Sequence, residues 1–252
     1  MKEKKKRVKK PIKVMVAIPN QGTISVHLAK SLLKMFNEAL LTKKYCIDLV
    51  FSKVTCIDYN RNTITQQFLD SDNKWLLMID DDNPCLKDPL DLIERNKDII
   101  IYPTLMFKTD GQDNPLLQYN VFKRDKNMWR SQRMTPGKPF MQYDAGGTGC
   151  ILIKRKVLEH PKMNRPFLSK LYPNGTREVG MDLWFCERAR KLGFEIWADW
   201  EYSCSHHKEV GVRIDADIVL RDKSGKIKAT RTIRDGKEVK KKIIRHCQKG
   251  DV

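Results

Sequence analysis

Five apolar residues, Trp75-Leu76-Leu77-Met78-Ile79, run straight into three aspartates, Asp80-Asp81-Asp82. An apolar run with no polar break reads as a strand buried on both faces. Such a strand needs cover on both sides, and helices supply it in α/β proteins. The flanking segments agree. Val14 to Ile18 is a second apolar run, stopped by Pro19-Asn20. Leu28, Leu32, Phe36 and Leu40 recur at helical spacing behind a capping candidate, Thr23 or Ser25. Tyr45 to Ser52 is strand-like, Asn60 to Leu69 helical, Pro89 to Arg95 a short helix and Ile99 to Ile101 a buried strand. This alternation predicts an α/β fold with a mostly parallel central sheet and helices on both faces.

The later chain is less regular. Residues 104–143 carry scattered Gly and Pro and no clean period, and read as a functional loop or lid. Asp144-Ala145-Gly146-Gly147-Thr148-Gly149 leads into the strand Cys150 to Ile153. Asp182 to Leu192 reads as a helix closed by Gly193, and Glu195 to Cys204 as a strand leading to His206-His207. From Val212 the composition shifts to charged and β-branched residues between turn signals: a small antiparallel meander, or a basic tail that orders on a partner. The expected organisation is a basic arm over 1–12, a main domain over 13–211 and a basic extension over 212–252.

The chain carries 49 Lys and Arg against 31 Asp and Glu, a formal charge of +18. Lys2, Lys4, Lys5, Lys6, Arg7, Lys9, Lys10 and Lys13 crowd one end; Lys237, Lys240, Lys241, Lys242 and Arg245 crowd the other. Such a balance suits a polyanion, either nucleic acid or an anionic membrane surface. No apolar run approaches the roughly 18–20 residues that span a bilayer, so a cytoplasmic location is expected. The 7 cysteines include no C-x-x-C pair and read as reduced and structural, not as a disulfide framework or a zinc site.

Three carboxylates at the end of a buried parallel strand lie where α/β sheets bind ligands. Packed together they repel, and a divalent cation removes that cost. Mg2+ or Mn2+ is commonly held by one or two carboxylates plus substrate phosphates. The alternative is a solvated acidic turn.

The order of motifs resembles the GT-A glycosyltransferases, in particular the family-2-like branch of bacteria and phages. Val14 to Asn20 resembles their first strand and its turn, and Arg61-Asn62 the pair ahead of the acidic motif. Trp75 to Asp82 resembles the strand ending in Asp-x-Asp, and Asp144 to Ile153 the acceptor-side segment. Gly180-Met181-Asp182 with its helix resembles the Gly-Glu-Asp helix that precedes a metal-binding His. The likeness covers residues 13–207 and implies a metal-dependent transfer of sugar from a nucleotide-sugar donor, UDP-sugars favoured. It implies Asp80, Asp82 and His206 as metal ligands, with His207 the competitor. It places Pro19, Asn20, Arg61, Asn62, Asp80, Asp81, Gly147 and Gly149 around the donor. Asp182 is the implied catalytic base, which takes the acceptor proton as in an inverting transfer. Met181 stands where the family has Glu, which leaves inverting versus retaining open.

For the acceptor, the basic ends and a segment holding Phe107, Tyr119, Phe122, Trp129, Arg130 and Arg133 suggest DNA carrying a hydroxymethylated pyrimidine, with aromatics stacking on a displaced base. A protein or glycan acceptor is the first alternative. A non-catalytic nucleic-acid-binding protein on a GT-A scaffold is the second.

Overall fold

The computed structural model describes residues 10–54, 56–109, 115–126, 128–207, 216–221, 227–234 and 237–243. Residues 1–9 of the basic arm and residues 244–252 of the tail lie outside these residues. The chain divides into two compact units, Met1–His207 and Lys208–Val252. In the second, Ala216–Arg221, Ile227–Arg234 and Lys237–Ile243 pair as a three-stranded antiparallel sheet.

The first unit is built on seven strands: β1 (Ile12–Asn20), β2 (Tyr45–Lys53), β3 (Trp75–Ile79), β4 (Ile99–Ile101), β5 (Phe140–Tyr143), β6 (Cys150–Lys154) and β7 (Ile196–Asp199). Their order is β2-β1-β3-β6-β4-β7-β5. β1 is parallel to β2 and β3, and β7 is parallel to β4. β6 is antiparallel to both its neighbours, and β5 is antiparallel to β7. The mostly parallel α/β sheet expected from the apolar runs is present.

Alternate residues of β1 face opposite cores. Val14, Val16 and Ile18 pack with α1 (Val26–Thr42) on one face. Met15 and Ala17 join Ile64 and Phe68 of α2 (Ile57–Asp70) and Phe185, Cys186 and Ala189 of α4 (Met181–Lys191) on the other. The four-residue helix α3 (Arg155–Leu158) also covers this second face. Leu76, Leu77 and Met78 of β3 have no exposed surface. Truncating one of them would cost about 2–5 kcal/mol.

Three expectations need correction. In α1 the buried stripe is Leu28, Leu32, Met35 and Ala39, and Leu40 is exposed. A strict four-residue step overshoots the 3.6-residue turn, so after three steps the side chain has rotated by roughly 120°. Ser25 is the cap: its hydroxyl accepts from the Leu28 amide at 3.0 Å. Residues 104–143 are not a structureless lid either. Leu105–Thr109 pairs with Pro115–Tyr119, Val121–Asp125 pairs with Met128–Ser131, and Phe140–Tyr143 is the sheet edge β5. These strands are short and carry charged side chains laid over aromatic rings, such as Arg124 over Trp129, which hides the period-two signal. The expected strand over Glu195 to Cys204 is shorter, ending at Asp199 before a single turn of 3-10 helix.

Candidate donor and metal site

The ends of β1 and β3 share one edge of the sheet, the edge where parallel strands deliver ligand-binding residues. A cleft of about 350 Å3 opens there, lined by Pro19, Asn20, Asn60, Asp80, Asp81 and Asp82 among others. Its volume falls in the range of small-molecule sites. Asn20 is held in place: its side chain donates to the Ile18 carbonyl at 3.1 Å and accepts from the Gly22 amide at 2.8 Å. Gly22 adopts φ +117, a conformation open to glycine, so the chain can turn away from the cleft. The Asp81 carbonyl accepts from the Ser25 amide at 3.1 Å, tying the acidic turn to the start of α1.

The antiparallel insertion of β6 explains the next neighbours. Because Cys150 pairs with Ile79, the residues before β6 lie beside those after β3. The Asp80 amide donates to the Gly149 carbonyl at 2.7 Å. A Cβ on Gly149 would lie 2.3 Å from Asn83 Nδ2 and 3.4 Å from Asp80 Oδ2, so only glycine fits without a shift. Gly147 packs on Asn120 and donates its amide to the Asn120 carbonyl at 2.7 Å. Thr148, between them, is fully buried, and its hydroxyl donates to Asp182 Oδ1 at 2.6 Å. Asp182 lies in the first turn of α4, where the helix dipole favours a carboxylate.

Asp82, which lines the cleft, meets His206, with Oδ2 and Nε2 3.1 Å apart. The other ring nitrogen of His206 lies 3.3 Å from the Leu105 carbonyl, which orients the ring. His207 turns elsewhere. Its amide donates to the Asp82 carbonyl at 2.8 Å, its ring stacks on His27, and its Nε2 lies 3.0 Å from Ser205 Oγ. Carboxylate plus imidazole is a donor pair suited to Mn2+ and neighbouring divalent ions.

Asp80 does not join that pair as a third close ligand among the described residues. Its Oδ1 accepts instead from Arg61 Nη2 at 2.7 Å. Arg61 is only 2% exposed, and its Nε and Nη1 have no hydrogen-bond partner among the described residues. Removal from water pushes Asp80 up to about 7; Arg61 pulls the other way, while Asp182 and Asp82 add to the rise. Asp81 is also raised, by desolvation and then by Asp82. Asn62, expected near the donor, is occupied elsewhere: its side chain donates to the Phe167 carbonyl at 2.6 Å and accepts from the Phe167 amide at 3.1 Å.

The sequence reading missed Thr148, Asn60 and the Arg61–Asp80 pair. Thr148 lay inside a motif read for its glycines. Asn60 lines the cleft while donating to the Ser52 carbonyl at 2.9 Å. Of the aromatics expected to stack on bases, Phe122 and Trp129 pack against the core, and Tyr119 meets Trp200 edge-on at 4.9 Å.

No protein-family profile and no curated protein matches the sequence. Among solved structures, A197 from STIV superposes with a TM-score of 0.51 at 14% identity, over 94% of this chain and 100% of that one. GalNAc-T7 with UDP, GalNAc and Mn2+ gives a TM-score of 0.44 at 10% identity, over 79% of this chain and 44% of that one. A glycosyltransferase involved in the glycosylation of the major capsid of PBCV-1 gives 0.32 at 13% identity, over 59% and 62%. The likeness to A197 shows a shared fold.

Proposed function

We propose that this chain is a divalent-metal-dependent glycosyltransferase that uses a nucleotide-sugar donor, a UDP-sugar in the first instance. The observation that carries the reading is the Asp82–His206 pair, 3.1 Å apart, whose aspartate lines a nucleoside-sized cleft. Asp82 and His206 would hold Mn2+ or Mg2+, whose chemistry is to offset charge on the departing diphosphate. Pro19 and Asn20 border the nucleoside, and Asp81 lines the same cleft. Asp80, neutralised by Arg61, faces the ribose or sugar. Gly147 and Gly149 let the backbone approach the transferred sugar. Asp182 takes the acceptor proton, with Thr148 fixing its carboxylate.

The acceptor we propose is a hydroxymethylated pyrimidine in DNA, supported by the formal charge of +18. The test is to incubate the protein with Mn2+, a panel of UDP- and GDP-sugars, and DNA with hydroxymethylcytosine or plain cytosine, then weigh the digested nucleosides. A sugar-sized gain on the hydroxymethylated base alone supports this acceptor. Nucleoside diphosphate release with no gain on either DNA retires the DNA acceptor and keeps the transferase.

A further inference from the structure

Three cysteines meet behind the acidic turn. Cys85 Sγ lies 3.6 Å from Cys150 Sγ and 3.5 Å from Cys204 Sγ, and all three sulfurs lie within 4.8 Å of one another. The pairs are 65 and 119 residues apart, so no spacing in the sequence announces them. Among the described residues this is the one cluster of three side chains with metal-ligand atoms so close together. Sulfurs around a zinc-type cation, each about 2.3 Å from the metal, stand roughly 3.8 Å apart. The thiols therefore need only small adjustments to take one.

The backbone already holds the three segments together. Cys85 and Cys204 face each other across an antiparallel bridge, flanked by the Leu86 amide on the Ser203 carbonyl and the Ser205 amide on the Pro84 carbonyl, both at 3.2 Å. The Cys150 carbonyl accepts from the Tyr102 amide at 3.1 Å. Cys150 and Cys204 are buried, while Cys85 lines a separate cavity of about 850 Å3 with His27, Ser205 and His207. That cavity gives an ion a way in. An all-sulfur set selects a soft d10 cation over Mn2+ or Mg2+.

We propose that Cys85, Cys150 and Cys204 form a second metal centre, a three-thiolate site for a zinc-type cation. Binding releases three protons: M2+ plus three RSH gives M(SR)3 with one negative charge, and water from the cavity completes the fourth position. Each ligand lies within three residues of a residue of the donor site. Cys85 follows Asp82, Cys150 follows Gly149, and Cys204 precedes His206. The ion would tie together the three segments that shape the catalytic edge. The site stands independently of the glycosyltransferase reading.

Cadmium is the probe, because its thiolate charge-transfer absorption reports sulfur ligands and not carboxylate or imidazole. Reduced, metal-free full-length protein is titrated anaerobically with Cd2+. The expected result is a band saturating at one ion per chain. Cys85→Ser and Cys204→Ser should each weaken binding tenfold or more. A combined Cys46→Ser, Cys56→Ser, Cys247→Ser variant should keep the band, and so should Asp82→Ala, which removes the donor-site ligand. Absence of the band overturns the proposal. So does a band unchanged in both Cys85→Ser and Cys204→Ser, or one lost in the combined variant or in Asp82→Ala.

Discussion

Asp82 and His206 are 124 residues apart in the chain, yet their Oδ2 and Nε2 atoms lie 3.1 Å apart. β3 ends at Ile79 and runs into the acidic turn that carries Asp82, and β7 leads through the 3-10 turn Trp200–Tyr202 to His206. The two strands reach the same edge because β4, next to β7, runs parallel to it, while the intervening β6 reverses direction between β3 and β4. A pair of donors so far apart in sequence follows from that topology.

Manganese affinity should separate the two histidines. His206→Ala should weaken Mn2+ binding by at least the roughly 10–100-fold seen when even an outer partner of a metal ligand is lost. His207→Ala, whose ring stacks on His27, should change it little. Electron paramagnetic resonance titration of free Mn2+ reads both. The reverse ranking would reassign the ligand.

Asp182→Asn should leave donor affinity intact and lower kcat by about 10²–10⁴, the usual contribution of a positioned base. Thr148→Val removes the hydroxyl 2.6 Å from Asp182 and should lower kcat less, without raising KM for the donor. Wild-type turnover in Asp182→Asn would remove it from the mechanism.

Asp80 gives the metal-free protein a pH dependence of known sign. Its pKa is about 7 in the fold against an ordinary value of 3.8, so the folded state holds this proton more tightly. The associated stability is fully present below pH 3.8 and is lost as pH rises through 7. Asp80→Asn leaves Arg61 without its carboxylate at every pH, so the difference in melting temperature between metal-free Asp80→Asn and the wild type, whatever its sign, should be more favourable to the variant at pH 8 than at pH 5. Equal shifts at both pH values would contradict a raised Asp80 pKa.

Two glycines three residues apart should fail differently. A Cβ at Gly146 would meet Ile101 Cγ2 at 2.6 Å inside the core, so Gly146→Ala should cost about 1–3 kcal/mol by overpacking. At Gly149 the clash is with Asn83 beside Asp80, so Gly149→Ala should lose donor binding before it loses stability. Chemical denaturation and donor titration on the same samples compare them.

The sheet was legible because Val14 to Ile18 of β1, β3 and β4 are uninterrupted apolar runs, which physical chemistry allows in few other places. The acidic edge was legible because a strand end fixes where Asp80 to Asp82 emerge. Val121–Asp125 and Met128–Ser131 were not, since short, partly solvated strands lack a clean period. Arg61 was named but not its partner: nothing local distinguishes a buried arginine from one on a helix surface. The bond from Thr148 to Asp182 spans 34 residues and depends on β6 running antiparallel, a direction that the apolar pattern of Cys150 to Ile153 does not encode.

The most direct test is Mn2+-dependent release of nucleoside diphosphate from a panel of nucleotide sugars, measured for the wild type, Asp82→Ala and His206→Ala. The account predicts release by the wild type from at least one donor, abolished by chelation and by either substitution. Release that persists in both variants, or in chelator, would contradict a catalytic cation held by Asp82 and His206.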